Sequence, residues 1–205
     1  MTATYDYLFL ELQRGPAARQ AFADHLTALH EELAAAGGEV LGMFTTQIGW
    51  EASQVAVLLR WAGIRDDAAR MRLVTAPQVI RSSTESLRPT LRPGDAAALL
   101  PGGIYVHRWF ETAISDLEEF QRLSGEGWKD FEPRFEANVF GLFLADTSAS
   151  DRELGARRLL LVTRYGDHGI WEASRDPTSA AMQIFQRRAM ITRRTFAAST
   201  LLTIP

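Results

Sequence analysis

Leu8, Leu10 and Leu12 interleave with Tyr7, Phe9 and Glu11 along residues 5–13. Alternation with a period of two predicts a strand with one aliphatic face and one aromatic-polar face. Gly15-Pro16 ends it, and residues 17–36 carry Phe22, Leu26, Leu29 and Leu33 at helical spacing as far as Gly37-Gly38. Residues 39–47 and 54–61 predict two strands of a hairpin turning near Gly49. An arginine-rich helical segment begins at Asp66, breaks at Pro77 and resumes to about Glu85, before a short strand at 87–92. The Pro- and Gly-rich stretch 93–103 reads as a linker. The order then starts again. Strand 104–112, helix 115–131, a hairpin of 139–145 with 157–165 and a helix over 167–174 follow, then a helix opening at Asp176-Pro177-Thr178 and a last strand over 195–204.

The two halves superpose in sequence at nearly constant spacing. Tyr7 falls on Tyr105 and Phe22 on Phe120, both 98 apart, while Gly42 falls on Gly141 and Phe44 on Phe143, both 99 apart. Past the longer second hairpin turn, Arg60-Trp61 falls on Arg164-Tyr165 at 104. Register kept through strand, helix and strand predicts a tandem duplication of one βαββαβ unit. The expected organisation is a first, degenerate module over 1–95, a linker over 96–103 and a second module over 104–205. A split βαβ unit covers one sheet face with helices, so two bare faces turned toward each other would make a barrel-like pseudo-dimer in one chain.

Composition narrows the function. A 205-residue chain with 46% hydrophobic and 23% charged residues has the make-up of a globular protein. A net charge of -3 argues against a nucleic-acid partner. With no cysteine, thiol catalysis, thiolate metal sites and disulfides are excluded, which fits a cytoplasmic protein. The opening MTATYDYLFLEL lacks a basic start before an apolar run, and no apolar run nears the roughly 20 residues that cross a bilayer, so neither signal peptide nor membrane partner is expected. Lys129 is the only lysine among 22 basic residues, so an arginine by itself is weak evidence of function.

Strand 104–112 holds the densest candidate chemistry. Tyr105, His107, Trp109 and Glu111 share one face, matching Tyr7, Phe9 and Glu11 in the first half. These faces are expected to line a cavity between the two sheets, with His107 as general acid or base and Glu111 or Glu11 as its partner. The competing reading is a core histidine with glutamates at strand ends. Arg108, Arg164 and Arg175 are candidate anchors for a carboxylate or enolate, since a guanidinium offers paired donors to a planar anion. Salt-bridged structural arginines are the alternative. His25 and His30 sit five residues apart on the first helix and do not share a metal, and no carboxylate pair spaced for metals, nucleophile elbow or phosphate-cradling loop is present. No metal or resident cofactor is therefore expected. Trp128, Phe131 and Phe135 read as core at the junction of the halves.

The second half, with RYGDHGIWEASR after the strand LLLVT and ITRRTFAASTLL near the end, resembles the NIPSNAP family of the dimeric α/β-barrel superfamily. Arg164-Tyr165, Trp171 and Arg175 carry that resemblance over residues 104–204. The first-half positions matching Trp171 and Arg175 lie near Asp67 and Met71, so that half has lost them. The resemblance implies an α+β, ferredoxin-like fold, a pocket between sheet and helices, Tyr165, Trp171 and Arg175 as ligand contacts, and a homo-oligomer. It also brings in cofactor-free monooxygenases, polyketide cyclases, haem-degrading enzymes and plain ligand binders, among which the fold does not choose. The expectation is a cofactor-independent protein for an aromatic or polyketide-like ligand, of the kind found in bacterial secondary metabolism. Alternatives are a non-catalytic ligand or interaction module, or a haem binder with His107 or His168 as axial ligand.

Overall fold

Strand β1 (Thr4–Leu12) turns Leu8, Leu10 and Leu12 toward helices α1 (Pro16–Ala28) and α2 (His30–Ala35), where they are buried with Phe22, Leu26 and Leu33. The leucine face is thus the helix-covered one, as its periodicity predicts. The single helix expected over 17–36 bends at Leu29 (φ -85°, ψ -2°), although the Leu33 N–H still donates to the Leu29 carbonyl at 2.9 Å. Strands β2 (Gly38–Ile48) and β3 (Gln54–Trp61), helix α3 (Asp67–Val74) and strand β4 (Val79–Arg92) complete the first repeat. Asp66 caps α3 by accepting the Ala69 N–H at 2.9 Å. The helical piece expected between Pro77 and Glu85 is instead strand. Pairing with β1, Tyr7 opposite Glu85 and Phe9 opposite Ser83, gives those backbone groups a ladder that outweighs weak helical preference.

The computed structural model describes residues 3–94 and 97–204. The chain falls into two units, one running to Arg88 and taking up the chain again from Thr200, the other Pro89–Ser199. Asp95 and Ala96, at the expected start of the linker, lie outside the described residues. In the first unit the strand order is β4-β1-β3-β2, that of a ferredoxin-like sheet.

The second repeat comprises β5 (Ile104–Ala113), α4 (Leu117–Arg134), β6 (Ala137–Ala145), α5 (Ala149–Glu153), β7 (Ala156–Tyr165), α6 (His168–Ala173), α7 (Ala180–Met190) and β8 (Thr192–Ile204). Its order, β8-β5-β7-β6, repeats the first. Helix α5 is an addition to the expected elements; Ser148 and Asp151 close a reciprocal capping box at its start. Helix α7 is capped by Ser179, not by Asp176, which holds the preceding turn by accepting from Thr178 at 2.7 Å.

Ladder register shows the same topology twice and corrects one detail of the alignment between the repeats. Thr4 lies opposite Trp61 and Ile104 opposite Tyr165, so the first strands superpose at 104 − 4 = 100 and not at 98. Tyr7 therefore corresponds to His107, Phe9 to Trp109 and Glu11 to Glu111. A slip of two residues keeps every side chain on its assigned face. In both repeats the same hairpin carries the same irregularity, between Val40 and Gly42 and between Val139 and Gly141.

Gly103 enters β5 at φ +71°, and a Cβ there would stand 2.2 Å from the Tyr165 carbonyl oxygen. Gly103→Ala is expected to destabilise the protein by about 2–3 kcal/mol, because both the backbone conformation and the contact oppose it. A urea midpoint shift measured against wild type checks this. Among the described residues no helix is long and apolar enough to cross a membrane.

Candidate functional site

Helices α4, α6 and α7 of the second unit leave a pocket of about 540 Å³ above the face of its sheet that carries Arg108 and Phe110. That face is the helix-covered one, because Val106 and Phe110 are buried there against Phe131 and Phe120. Trp128 and Phe131 of α4, Trp171 of α6 and Phe185 of α7 supply aromatic walls, with Thr163 and Tyr165 from β7 on the floor. The helices approach closely because α4 has Gly127 under α7; a Cβ there would lie 2.3 Å from the Phe185 ring.

The pocket gathers four of the residues singled out in sequence: Arg108, Tyr165, Trp171 and Arg175. Arg175 stacks on Trp171 with its guanidinium carbon 4.8 Å from the ring centroid, and the Tyr165 and Trp171 rings lie 6.4 Å apart. Burial raises the Tyr165 phenol pKa, tempered by Arg108, Ser174 and Arg175, so the hydroxyl keeps its proton at neutral pH. The Trp171 indole Nε1 is buried and meets no hydrogen-bond acceptor among the described residues.

The other candidates stand elsewhere. Tyr105, His107, Trp109 and Glu111 occupy the opposite face of β5, as alternation requires. His107 is 1% exposed, and burial lowers its pKa to about 3. A base of that strength takes up almost no proton at neutral pH. Glu111 is four residues further on, roughly 13 Å along an extended strand, and Trp109 stands between them. Tyr105 donates to the Leu100 carbonyl at 2.6 Å, and burial holds its pKa at about 12. Arg164 is outside the pocket lining, donating to the Gly102 carbonyl at 2.9 Å beside Glu136. In the first unit Tyr7 is buried, Phe9 packs edge-on against Trp50 at 5.1 Å, and Glu11 pairs with Arg81 at 3.3 Å.

Neither imidazole offered for haem lines the pocket: His107 is on the far face, and the His168 ring nitrogen is 2.9 Å from the Ser199 hydroxyl. The donor set here does not match an imidazole-ligated haem.

Arg188, Phe185, Trp128 and Phe131 were not singled out as site residues in sequence. Arg188 was hidden by the abundance of arginine, and the α4 aromatics read as ordinary core. The available signal was Phe185 and Arg188, three apart and so on one face of a helix.

No known family profile and no curated protein matches the chain in sequence. Solved structures do match. An anthrone oxidase-like protein superposes with a TM-score of 0.62 at 10% identity, covering 100% of this chain and 92% of the other. The fold is that of the ferredoxin-like, dimeric α/β-barrel proteins. A monooxygenase-like protein of Listeria innocua superposes at 0.51 with 10% identity, over 96% of this chain and 93% of its own. A haem-binding protein of Thermus thermophilus does so at 0.50 with 14% identity, over 97% and 90%. At such identities the likeness is one of fold, and the chemistry has to come from the site.

Proposed function

We propose that this chain is a NIPSNAP-type, cofactor-independent protein that takes an aromatic or polyketide-like small molecule into the second unit's pocket and acts on it there. The observation that carries this reading is the lining, in which aromatic walls enclose a protonated phenol and several guanidinium groups within about 540 Å³. That size falls in the range of small-molecule sites, roughly 300–1,000 Å³. Trp128, Phe131, Trp171 and Phe185 supply apolar area, Arg108 and Arg175 orient the ligand, and Tyr165 donates a hydrogen bond to a ligand oxygen. Likeness to an anthrone oxidase-like protein suggests a fused-ring substrate. The ring methylene of an anthrone, once it has lost a proton to solvent, reduces O₂ without a cofactor; the methylene carbon keeps one oxygen as a carbonyl, and the other leaves as water with the two methylene hydrogens.

One feature of the lining favours a second reading, that of a non-catalytic ligand carrier. Among the described residues, no histidine, aspartate, glutamate or lysine lines the pocket, so none of the usual side-chain bases stands there. Dithranol, a tricyclic anthrone, separates the two. Binding is followed by quenching of tryptophan fluorescence, and turnover by quinone absorbance in air. The expected result is saturable quenching with quinone formation above the buffer rate, slowed at least tenfold in Tyr165→Phe with quenching retained. Quenching without turnover points to the carrier, and no quenching removes both readings. The proposal includes a cytoplasmic setting and self-association, the latter supported by Phe196 of β8 standing 50% exposed.

A further inference from the structure

Arg188 of α7 is 4% exposed, yet it lines the pocket. Its guanidinium lies among three rings, 4.8 Å from the Phe110 centroid, 5.2 Å from Phe120 and 4.6 Å from Phe185. One donor goes to the Ser124 hydroxyl at 3.0 Å. A guanidinium has five N–H donors, and among the described residues no carboxylate pairs with Arg188 or with Arg108. Among the described residues, no aspartate or glutamate lines the pocket. Burial and repulsion from Arg108 push Arg188 down to about 9, so it stays charged at neutral pH. Contact with aromatic faces recovers part of what burying a cation costs, but it does not use the outstanding donors. Arg188 and Arg108, two of the five arginines that line the pocket, also repel each other. A planar anion resolves both problems at once, since its oxygens accept the outstanding donors and its charge offsets the repulsion.

We infer that the ligand is an aromatic acid, a carboxylate on a ring frame, held in the pocket by Arg188 together with Arg108. This rests on the pocket reading above and adds the ligand's charge to it. The ring packs among Trp128, Phe131 and Trp171, and the carboxylate sits over the paired guanidinium groups.

The test compares 2-naphthoate with 2-naphthamide by calorimetric titration of the whole chain at neutral pH and low salt. The two probes share a ring system and differ in charge. The acid is expected to bind at least tenfold more tightly than the amide, with an advantage that shrinks as salt is added. In Arg188→Met the advantage of the acid over the amide is expected to fall below about threefold. Because Arg188 is buried, circular dichroism checks that variant's fold. Arg108→Gln, on the pocket wall, provides a second measurement with the same expected narrowing. Equal affinity of wild type for acid and amide would overturn the inference and leave the pocket reading standing. Failure of both probes to bind would overturn the two together.

Discussion

Asp6→Ala is expected to cost about 3–5 kcal/mol of folding stability, the range for removing one partner of a buried ion pair. The Asp6 side chain has no exposed surface, and its carboxylate serves four neighbours. It accepts from Trp61 Nε1 at 2.9 Å and from the Ser86 hydroxyl at 3.0 Å, and it pairs with Arg65 at 3.3 Å and Arg70 at 3.7 Å. Removing it strands a buried indole N–H and takes a carboxylate from two guanidinium groups that are only about one-fifth exposed, leaving Arg70 with Asp67 and Arg65 with the Tyr5 and Leu87 carbonyls. Asp6→Asn should lose less, because an amide oxygen can still accept from Trp61. Urea denaturation at neutral pH followed by circular dichroism measures both; a loss below about 1 kcal/mol for the alanine variant would show that the network is not structural. The result bears on function through the duplication. Trp61 holds the register position that Tyr165 holds in the second repeat, and it is fully buried against Gly38, where a Cβ would lie 2.6 Å from the ring. The first repeat fills with a locked tryptophan the position that in the second lines a cavity.

Acid is expected to destabilise the fold through His107. Its ordinary pKa of 6.5 falls to about 3 in the folded chain because burial opposes the charged ring. Between those values the unfolded chain binds a proton that the folded chain does not, so stability falls as pH falls from about 6.5 toward 3 and is level above that window. The slope approaches about 1.4 kcal/mol per pH unit at the lower end of the window, which integrates to roughly 2 kcal/mol lost between pH 6.5 and 4.5. His107→Gln removes the titrating group, and its stability difference from wild type should change by that amount between pH 7 and 4.5. Parallel pH profiles for the two proteins would refute the assignment. The same displacement makes His107 a poor general base at neutral pH. The ring on strand β5 thus matters to folding in a way that its place in the sequence did not separate from catalysis.

Much of the architecture could be read from residue order. Leucines at every second position of β1 marked the helix-covered face, and Phe22 and Phe120 marked equivalent helices, both fully buried. The repeat was legible although its first strand had been set two residues out of register, because an even slip preserves the faces. Strand β4 was legible only at its end, where a short strand was expected over 87–92, and not before it. Residues 80–85 are polar and only weakly patterned, and their pairing partner, β1, lies some 75 residues away in the chain.

What the chain determined unaided is therefore the duplicated βαββαβ order, the division of each strand into two faces, and a short set of arginines and aromatics near residues 164–175. These follow from local periodicity, which records at each position whether a side chain meets core or solvent. Only the tertiary structure decided which face of β5 opens onto a cavity and which groups meet there. Arg108, Tyr165, Trp171 and Arg188 come from four different elements, and they converge because Gly127 lets α7 settle onto α4. That settling depends on packing between distant segments, and a one-dimensional pattern of polar and apolar residues does not encode it.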